Sequence, residues 1–275
     1  MQRLAIGEEN VIRTISPNDE MYAGDRGFSD WYWYVGRSAL DVIDQCLHAA
    51  KKPVSDIQHI LDLPCGHGRV LRYLKAAFPT AEITACDVLR DGVEFCAETF
   101  AAKPVYSRNE PEQIELPLHQ FDLIWVGSLF THLNAERWPA FLRRLVRSLR
   151  KDGVLVFTTH GRYVYHRMKG LEDAYEYCLP YWSKTVALYE YERTGFGFGD
   201  YQNRQYGISL SAPGWVCSLV EQCGLRCIHF QERGWHDIQD AYACVPDLHP
   251  KDSESAIARM LYLRCRVRDL LKPVS

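Results

Sequence analysis

The stretch that decides the fold is I-L-D-L-P-C-G-H-G-R, residues 60–69. Its first four residues are typical of a buried parallel strand, with Asp62 as the polar exception. A tight loop containing Gly66 and Gly68 follows, and a helical pattern begins at Val70. Glycines let the backbone come close to a ligand, and a helix start offers N–H groups that the helix itself does not use. The stretch therefore predicts a cradle for a nucleotide-like ligand.

Strand and helix patterns alternate along the chain from residue 57 onward. This alternation predicts an α/β fold, a doubly wound and mostly parallel sheet with helices on both faces. Ligands of such sheets bind at the carboxyl ends of the strands. Strands are predicted over 57–63, 82–87, 104–107, 121–126 and 154–159, with helices over 69–77, 90–101 and 136–149. Two further strands, 225–231 and 239–245, are separated by a short connection that predicts an antiparallel hairpin at the sheet edge.

Composition indicates an ordinary globular protein of 275 residues, with 47% hydrophobic and 24% charged residues. The formal net charge of −3 gives no general attraction to nucleic acid. The first residues form no apolar signal core, and no apolar run is long enough for a membrane span, so we expect a cytoplasmic location. The ten cysteines are scattered without a C-x-x-C pair, which favours reduced core residues and predicts no metal site.

Three segments add to the predicted ligand-binding domain at 57–246. Residues 1–56 predict a helical cap, which either packs on the domain or covers the ligand. Residues 161–211 form a tyrosine-rich insertion after the fifth strand, a lid in one interpretation and a partner interface in the other, which leaves a homo-oligomer open. Within it the glycine-rich run 194–200 is predicted to be flexible. Residues 247–275 predict a C-terminal helix with a short apolar stripe.

Two cofactors compete for the opening loop. A nicotinamide dinucleotide fold favours a third glycine where this chain has the bulky Leu71. Asp62 can face the amino group of a zwitterionic tail, and Asp87, at the end of the second strand, can accept hydrogen bonds from ribose hydroxyls. S-adenosylmethionine carries both groups, which makes it the predicted cofactor.

Four motifs in order resemble the class I S-adenosylmethionine-dependent methyltransferases over residues 57–245. They are D-L-P-C-G-H-G-R at 62–69, A-C-D at 85–87, F-D-L-I-W at 121–125 and L-R-K-D-G-V-L at 149–155. Pro64 stands where the family usually has its first glycine. The resemblance implies seven strands in the order 3-2-1-4-5-7-6. The predicted cofactor residues are Asp62, Pro64, Cys65, Gly66, Gly68, Arg69, Asp87, Val88, Asn109, Gly127 and Ser128.

Two histidines follow the fourth and fifth strands, where the acceptor of the methyl group is expected. His132 and His160 are the candidate catalytic bases, since a hydroxyl acceptor has a proton to lose. Each could instead be structural. His236 and Asp240 are weaker candidates, expected to be solvated turn residues.

The acceptor itself is predicted only as a class. Segments around the two histidines are similar to methyltransferases of bacterial glycan assembly, which favours a hydroxyl of a sugar or another small molecule. Tyr32, Arg37 and Tyr206 are the predicted acceptor contacts. Two alternatives to an active methyltransferase remain, a methyltransferase-like binding module without activity and a nicotinamide-dependent dehydrogenase.

Overall fold

The computed structural model describes residue 4 and residues 6–22, 29–170, 179–201 and 206–247. The predicted C-terminal helix lies outside these residues. Within them, no helix is both long and apolar enough to cross a membrane. The strands are β1 His59–Asp62, β2 Glu82–Asp87, β3 Lys103–Tyr106, β4 Phe121–Val126, β5 Leu149–Thr159, β6 Phe196–Asp200, β7 Gly207–Ser211, β8 Leu225–Trp235 and β9 Gln239–Pro246. The helices are α1 Ser29–Ala49, α2 Leu71–Ala77, α3 Arg90–Phe100, α4 Arg137–Ser148, α5 Arg162–Lys169, α6 Tyr181–Thr194 and α7 Pro213–Gln222.

Seven strands form the main sheet in the order β3-β2-β1-β4-β5-β9-β8. The first five are parallel, and β9 runs antiparallel to both β5 and β8. This confirms the predicted α/β class and strand order, with β8 and β9 in the places of the sixth and seventh strands. The carboxyl ends of β1, β2, β4 and β5 meet at one edge, where the glycine loop, Asp87, Ser128 and His160 lie.

The central strands are mostly apolar because both faces of the sheet are covered. On β4, Leu123 and Trp125 enter the core beneath α1, α2 and α3, whereas Ile124 and Val126 enter the core beneath α4 and α7. The cysteines described in the structure are free thiols, mostly buried. This agrees with the expectation of reduced core residues.

The prediction of a flexible run at 194–200 was wrong. Residues 196–200 form β6, which pairs antiparallel with β7 in a separate two-stranded sheet against α6. The glycines serve close packing instead, because a Cβ at Gly197 would clash with the carbonyl oxygen of Ala187 in α6. A glycine-rich segment indicates a flexible chain when only the sequence is considered. Here the absence of side chains on the glycines allows β6 to approach α6 closely.

Candidate active site

The chain turns through two glycines directly after β1. Gly66 has φ +50° and Gly68 has φ +79°, in the left-handed region that other residues rarely adopt. The Cys65 N–H donates to the Cys86 carbonyl at 3.0 Å and holds the loop against the end of β2. A Cβ on Gly66 would meet nothing within 4 Å, so this part of the loop borders open space. Pro64, joined to Leu63 by a cis peptide bond, leads into the turn.

Asp87 fastens the glycine loop to the end of β2. One carboxylate oxygen accepts the Gly66 N–H at 2.7 Å, and the other accepts the Leu89 N–H at 3.0 Å. Each oxygen keeps a lone pair for a further donor, such as a ribose hydroxyl. Val88 and Leu89 follow with 59% and 52% of their surface exposed, an apolar platform of the kind that an adenine ring needs.

Asp62 is a buried carboxylate with a missing partner. It is 1% exposed, and within the described residues neither of its carboxylate oxygens has a hydrogen-bond partner. Burial raises the pKa of Asp62 well above its usual range, Asp87 adds to this rise, and Arg69 opposes it. An isolated buried carboxylate is costly, so a cationic donor from a ligand would relieve it. The residues present therefore fit the ammonium group of S-adenosylmethionine.

A buried arginine fastens the N-terminal segment over the glycine loop. Arg72, with no exposed surface, donates to the carbonyls of Gly68, Ile12 and Thr14 at 3.0, 2.9 and 3.0 Å. It also donates to the Tyr32 hydroxyl at 3.1 Å. We call residues 12–19 the N-terminal strap. Sequence reasoning missed this network, because an arginine in a helical pattern is usually exposed.

The structure places Tyr32 inside this network. Tyr32 is 1% exposed, and its hydroxyl donates to Asp19 at 2.7 Å, which closes the strap against α1. Arg37 lies on the same helix and forms a 2.5 Å ion pair with Glu8. The predicted contacts of these two residues with an acceptor stay predictions. The geometry around Tyr32 favours the alternative, a helix that packs on the domain.

We expect Tyr32→Phe to lower the free energy of unfolding by about 1–3 kcal/mol, since Asp19 and Arg72 both lose a buried partner. Urea unfolding measures this loss. Tyr34→Phe is the matched control on the same helix: its 2.6 Å bond to Asp237 is exposed, so the loss should be smaller. Equal stability of wild type and Tyr32→Phe would contradict a fastening role for this hydroxyl.

A polar chain connects the ends of β4, β5 and β9. Ser128, with φ +61°, donates its N–H to the Thr158 hydroxyl at 2.9 Å. Thr158 donates to the Gln239 side-chain oxygen at 2.6 Å, and the Gln239 amide nitrogen donates to the Ser128 hydroxyl at 2.8 Å. Gly127, buried beside Trp235, precedes this turn. The sequence singled out Gly127 and Ser128 but not their partners, which lie far along the chain.

The two predicted catalytic histidines come together at this edge of the sheet. The ring centroids of His132 and His160 are 6.4 Å apart. Tyr206, 47% exposed, stacks on His132 with centroids 4.5 Å apart and an interplanar angle of 17°. The structure thus also brings the predicted acceptor contact Tyr206 to this pair.

Burial favours the neutral form of both histidines. Burial lowers the pKa of His132, against the opposing effect of its hydrogen bond with the Gly207 carbonyl. Burial lowers the pKa of His160 well below its usual value, with smaller contributions from His132 and His236. A neutral imidazole has a lone pair that can accept a proton.

The hairpin between β8 and β9 also corrects the sequence interpretation. His236 and Asp240 were expected to be solvated, yet they are 9% and 0% exposed. Burial lowers the pKa of His236 to about 4, and burial raises the pKa of Asp240 to about 6. The hairpin is covered by α1: the Trp235 indole N–H donates to the Val35 carbonyl at 3.0 Å.

Arg69 and Asn109, two of the predicted cofactor residues, lie at the periphery of the candidate site. Arg69 is half-buried, with its guanidinium carbon 5.9 Å from the centroid of the Trp235 ring. Asn109 is exposed on the loop after β3, and its carbonyl accepts a hydrogen bond from Arg137. Both remain predicted cofactor contacts.

Comparison with known proteins agrees with this geometry. Residues 61–155 match a family model described as a methyltransferase domain. The chain is similar to malonyl-[acyl-carrier protein] O-methyltransferase of Acetivibrio thermocellus, at 31% identity over 110 residues, 40% of this chain and 38% of that protein. It is also similar to fatty-acid O-methyltransferase of Mycolicibacterium smegmatis, at 28% identity over 102 residues, 37% of this chain and 36% of that protein. The matches span less than half the length of these curated relatives.

Solved structures show the same fold. An S-adenosylmethionine-dependent methyltransferase of Clostridium acetobutylicum matches with a TM-score of 0.53 at 13% identity, over 78% of this chain and 92% of that chain. A protein of Pyrococcus horikoshii also matches with a TM-score of 0.53 at 13% identity, over 76% of this chain and 90% of that chain. At such identities these structures support the fold alone. Together with the strand order they confirm the predicted methyltransferase fold, and residues 61–155 form the methyltransferase domain that the resemblance implied.

Proposed function

We propose that this protein transfers a methyl group from S-adenosylmethionine to an oxygen atom of a small-molecule or glycan acceptor. The observation that carries the proposal is the pair of carboxylates at the ends of β1 and β2. Asp87 fixes the glycine loop by two backbone hydrogen bonds, while the buried Asp62 has no partner of its own in the described residues. A ligand with both a ribose and an ammonium group matches this difference.

Each part of the cofactor has residues suited to it. Asp62 would bind the ammonium group, Asp87 the ribose hydroxyls, and Val88 with Leu89 the adenine. When bound, S-adenosylmethionine supplies a methyl group already activated on a sulfonium. The protein then has to align the acceptor with the methyl group and exclude water from the site.

We assign the role of general base to His132, acting on a hydroxyl acceptor. Its Nδ1 lies 2.8 Å from the Gly207 carbonyl, which can only accept, so Nδ1 carries the hydrogen and Nε2 carries the lone pair. As the acceptor oxygen takes the methyl group, its proton would pass to Nε2. His160 is fully buried, with its ring centroid 6.4 Å from that of His132, and is suited to orient the His132 ring.

A carboxylate acceptor is the second candidate, favoured by the similarity to a fatty-acid O-methyltransferase. A carboxylate has already lost its proton near neutral pH and needs no base. The two acceptor types differ in the dependence of kcat on pH. With a hydroxyl acceptor, kcat should fall at low pH as His132 becomes protonated. With a carboxylate acceptor, kcat should not change over the pH range in which His132 titrates.

Calorimetry and a labelled-methyl assay test the proposal. We expect S-adenosylmethionine to bind and NAD not to bind, and label from the methyl group to enter a hydroxyl compound in a screen of sugars, phenols, amines and fatty acids. Binding of S-adenosylmethionine without transfer to any acceptor would favour the inactive binding module. Binding of NAD alone would overturn the proposal.

A further inference from the structure

Strand β7 of the insertion is hydrogen-bonded along both edges. On one edge it pairs with β6. On the other, Gly207 donates its N–H to the His132 carbonyl at 3.2 Å, and Ser209 donates to the Thr131 carbonyl at 2.8 Å. Ser211 donates to the His160 carbonyl at 2.9 Å. The strand therefore joins the segment after β4 to the segment after β5, the two places that carry the histidines.

The same strand also contacts the His132 imidazole through its main chain. The Gly207 carbonyl lies 2.8 Å from Nδ1 of His132. Because a carbonyl only accepts, the ring must present an N–H to β7, and its other nitrogen must carry the lone pair.

We propose that the main chain of β7, through the carbonyl of Gly207, is the positioning element that fixes the tautomer of His132. The inference rests on the proposed function, in which His132 is the base, and it extends that function to the insertion. The insertion then contributes directly to the catalytic site by orienting His132, in addition to covering the site. In other enzymes a carboxylate often holds the base in this way; here a peptide group does so.

The position of β7 depends on the small size of Gly207. A Cβ at this residue would clash with the carbonyl oxygen of Gly199 on β6, so the two strands would have to separate. Such a shift would move the Gly207 carbonyl away from His132. Tyr206 precedes it and stacks on the same ring, so the stack would also change.

Nitrogen NMR of protein labelled with 15N-histidine reads the tautomer directly. Between pH 6.5 and 8 we expect His132 to be neutral with hydrogen on Nδ1, the less populated form of a free histidine side chain. The His132→Gln spectrum assigns its signals, and the exposed His166 on α5 serves as a reference ring. Hydrogen on Nε2 of His132, or averaging between the two tautomers, would overturn the inference.

Gly207→Ala tests the consequence for catalysis. We expect kcat to fall about 10- to 100-fold, as for a displaced catalytic group, with the Kd of S-adenosylmethionine unchanged and the acid limb of the pH profile moved. Gly214→Ala is the matched control, because a Cβ there meets nothing within 4 Å, and its kcat should equal that of wild type. Equal kcat in both variants would contradict the inference. If Gly207→Ala does not fold, the NMR result on the native protein decides.

The two failures can be told apart. Full activity of His132→Ala would remove the base from the proposed function, whereas the tautomer of the native His132 would still test the role of β7. Loss of activity in His132→Ala, together with an Nε2–H tautomer in the native protein, would keep the base and reject the positioning element.

Discussion

Replacing Asp87 by alanine is expected to weaken the binding of S-adenosylmethionine by at least about 100-fold. Hydrogen bonds to a charged group contribute about 1.5–3 kcal/mol each, and the ribose would lose two such bonds. The substitution also releases the Gly66 and Leu89 N–H groups, so the loop itself loses its fixed shape. Isothermal titration of the variant with S-adenosylmethionine measures the change.

Glu82→Ala is the matched control for Asp87→Ala. Glu82 is an exposed carboxylate at the opposite end of the same strand, with a 4.0 Å ion pair to Lys103. Such surface pairs contribute little, so the Kd should stay near that of wild type. If Asp87→Ala bound S-adenosylmethionine as tightly as Glu82→Ala does, the assignment of Asp87 to the ribose would be wrong.

His132→Ala is expected to lower kcat by about 100- to 10,000-fold on a hydroxyl acceptor, the range typical of a lost general base. The Kd of S-adenosylmethionine should change little, because the glycine loop and both carboxylates remain. Burial lowers the pKa of His132 from 6.5, so the wild-type kcat should stay level from pH 8 to about 6.5 and fall only below it, as the imidazole takes a proton. Single-turnover assays across this pH range measure both effects.

His166→Ala controls for the loss of an imidazole in general. His166 is exposed on α5, outside the histidine pair, so its replacement should leave kcat and the pH profile as in wild type. A kcat within a few-fold of wild type for His132→Ala would reject the base. Together with a level pH profile, it would favour the carboxylate acceptor.

The sequence predicted those parts of the fold that depend on local pattern. The structure contains β1, β4 and the turn at Gly66 where the sequence predicts them. The two strands could be predicted because strands covered on both faces are rich in apolar residues. The hairpin of β8 and β9 followed from its short connection. The family motifs then supplied the strand order, which no single segment contains.

What escaped prediction depends on contacts between distant residues. His236 and Asp240 belong to a polar segment that the sequence pattern assigns to a solvated turn, whereas His236 packs against Trp31 of α1 and Asp240 lies buried in β9 beside Gly161. Gln239 forms hydrogen bonds with Ser128 and Thr158, which are more than 80 residues away in the sequence. Hydrophobic periodicity reports only local structure and cannot predict such contacts. β6 was missed because glycine has low strand propensity, and its use here comes from the close approach of α6.

The contacts of Arg72 with the N-terminal strap suggest how that segment can be redesigned. The guanidinium recognises the carbonyl oxygens of Ile12 and Thr14 and no side chain at these two positions. The peptide backbone supplies the same carbonyls whatever the residues are. A library with randomised residues 12 and 14 should therefore yield many folded members, and selection would act on how each new side chain meets its neighbours. Deleting the segment would leave several donors of a buried cation without acceptors, which is a far larger loss. At positions 12 and 14, the amino-acid identity is open to change while the presence of the chain is not.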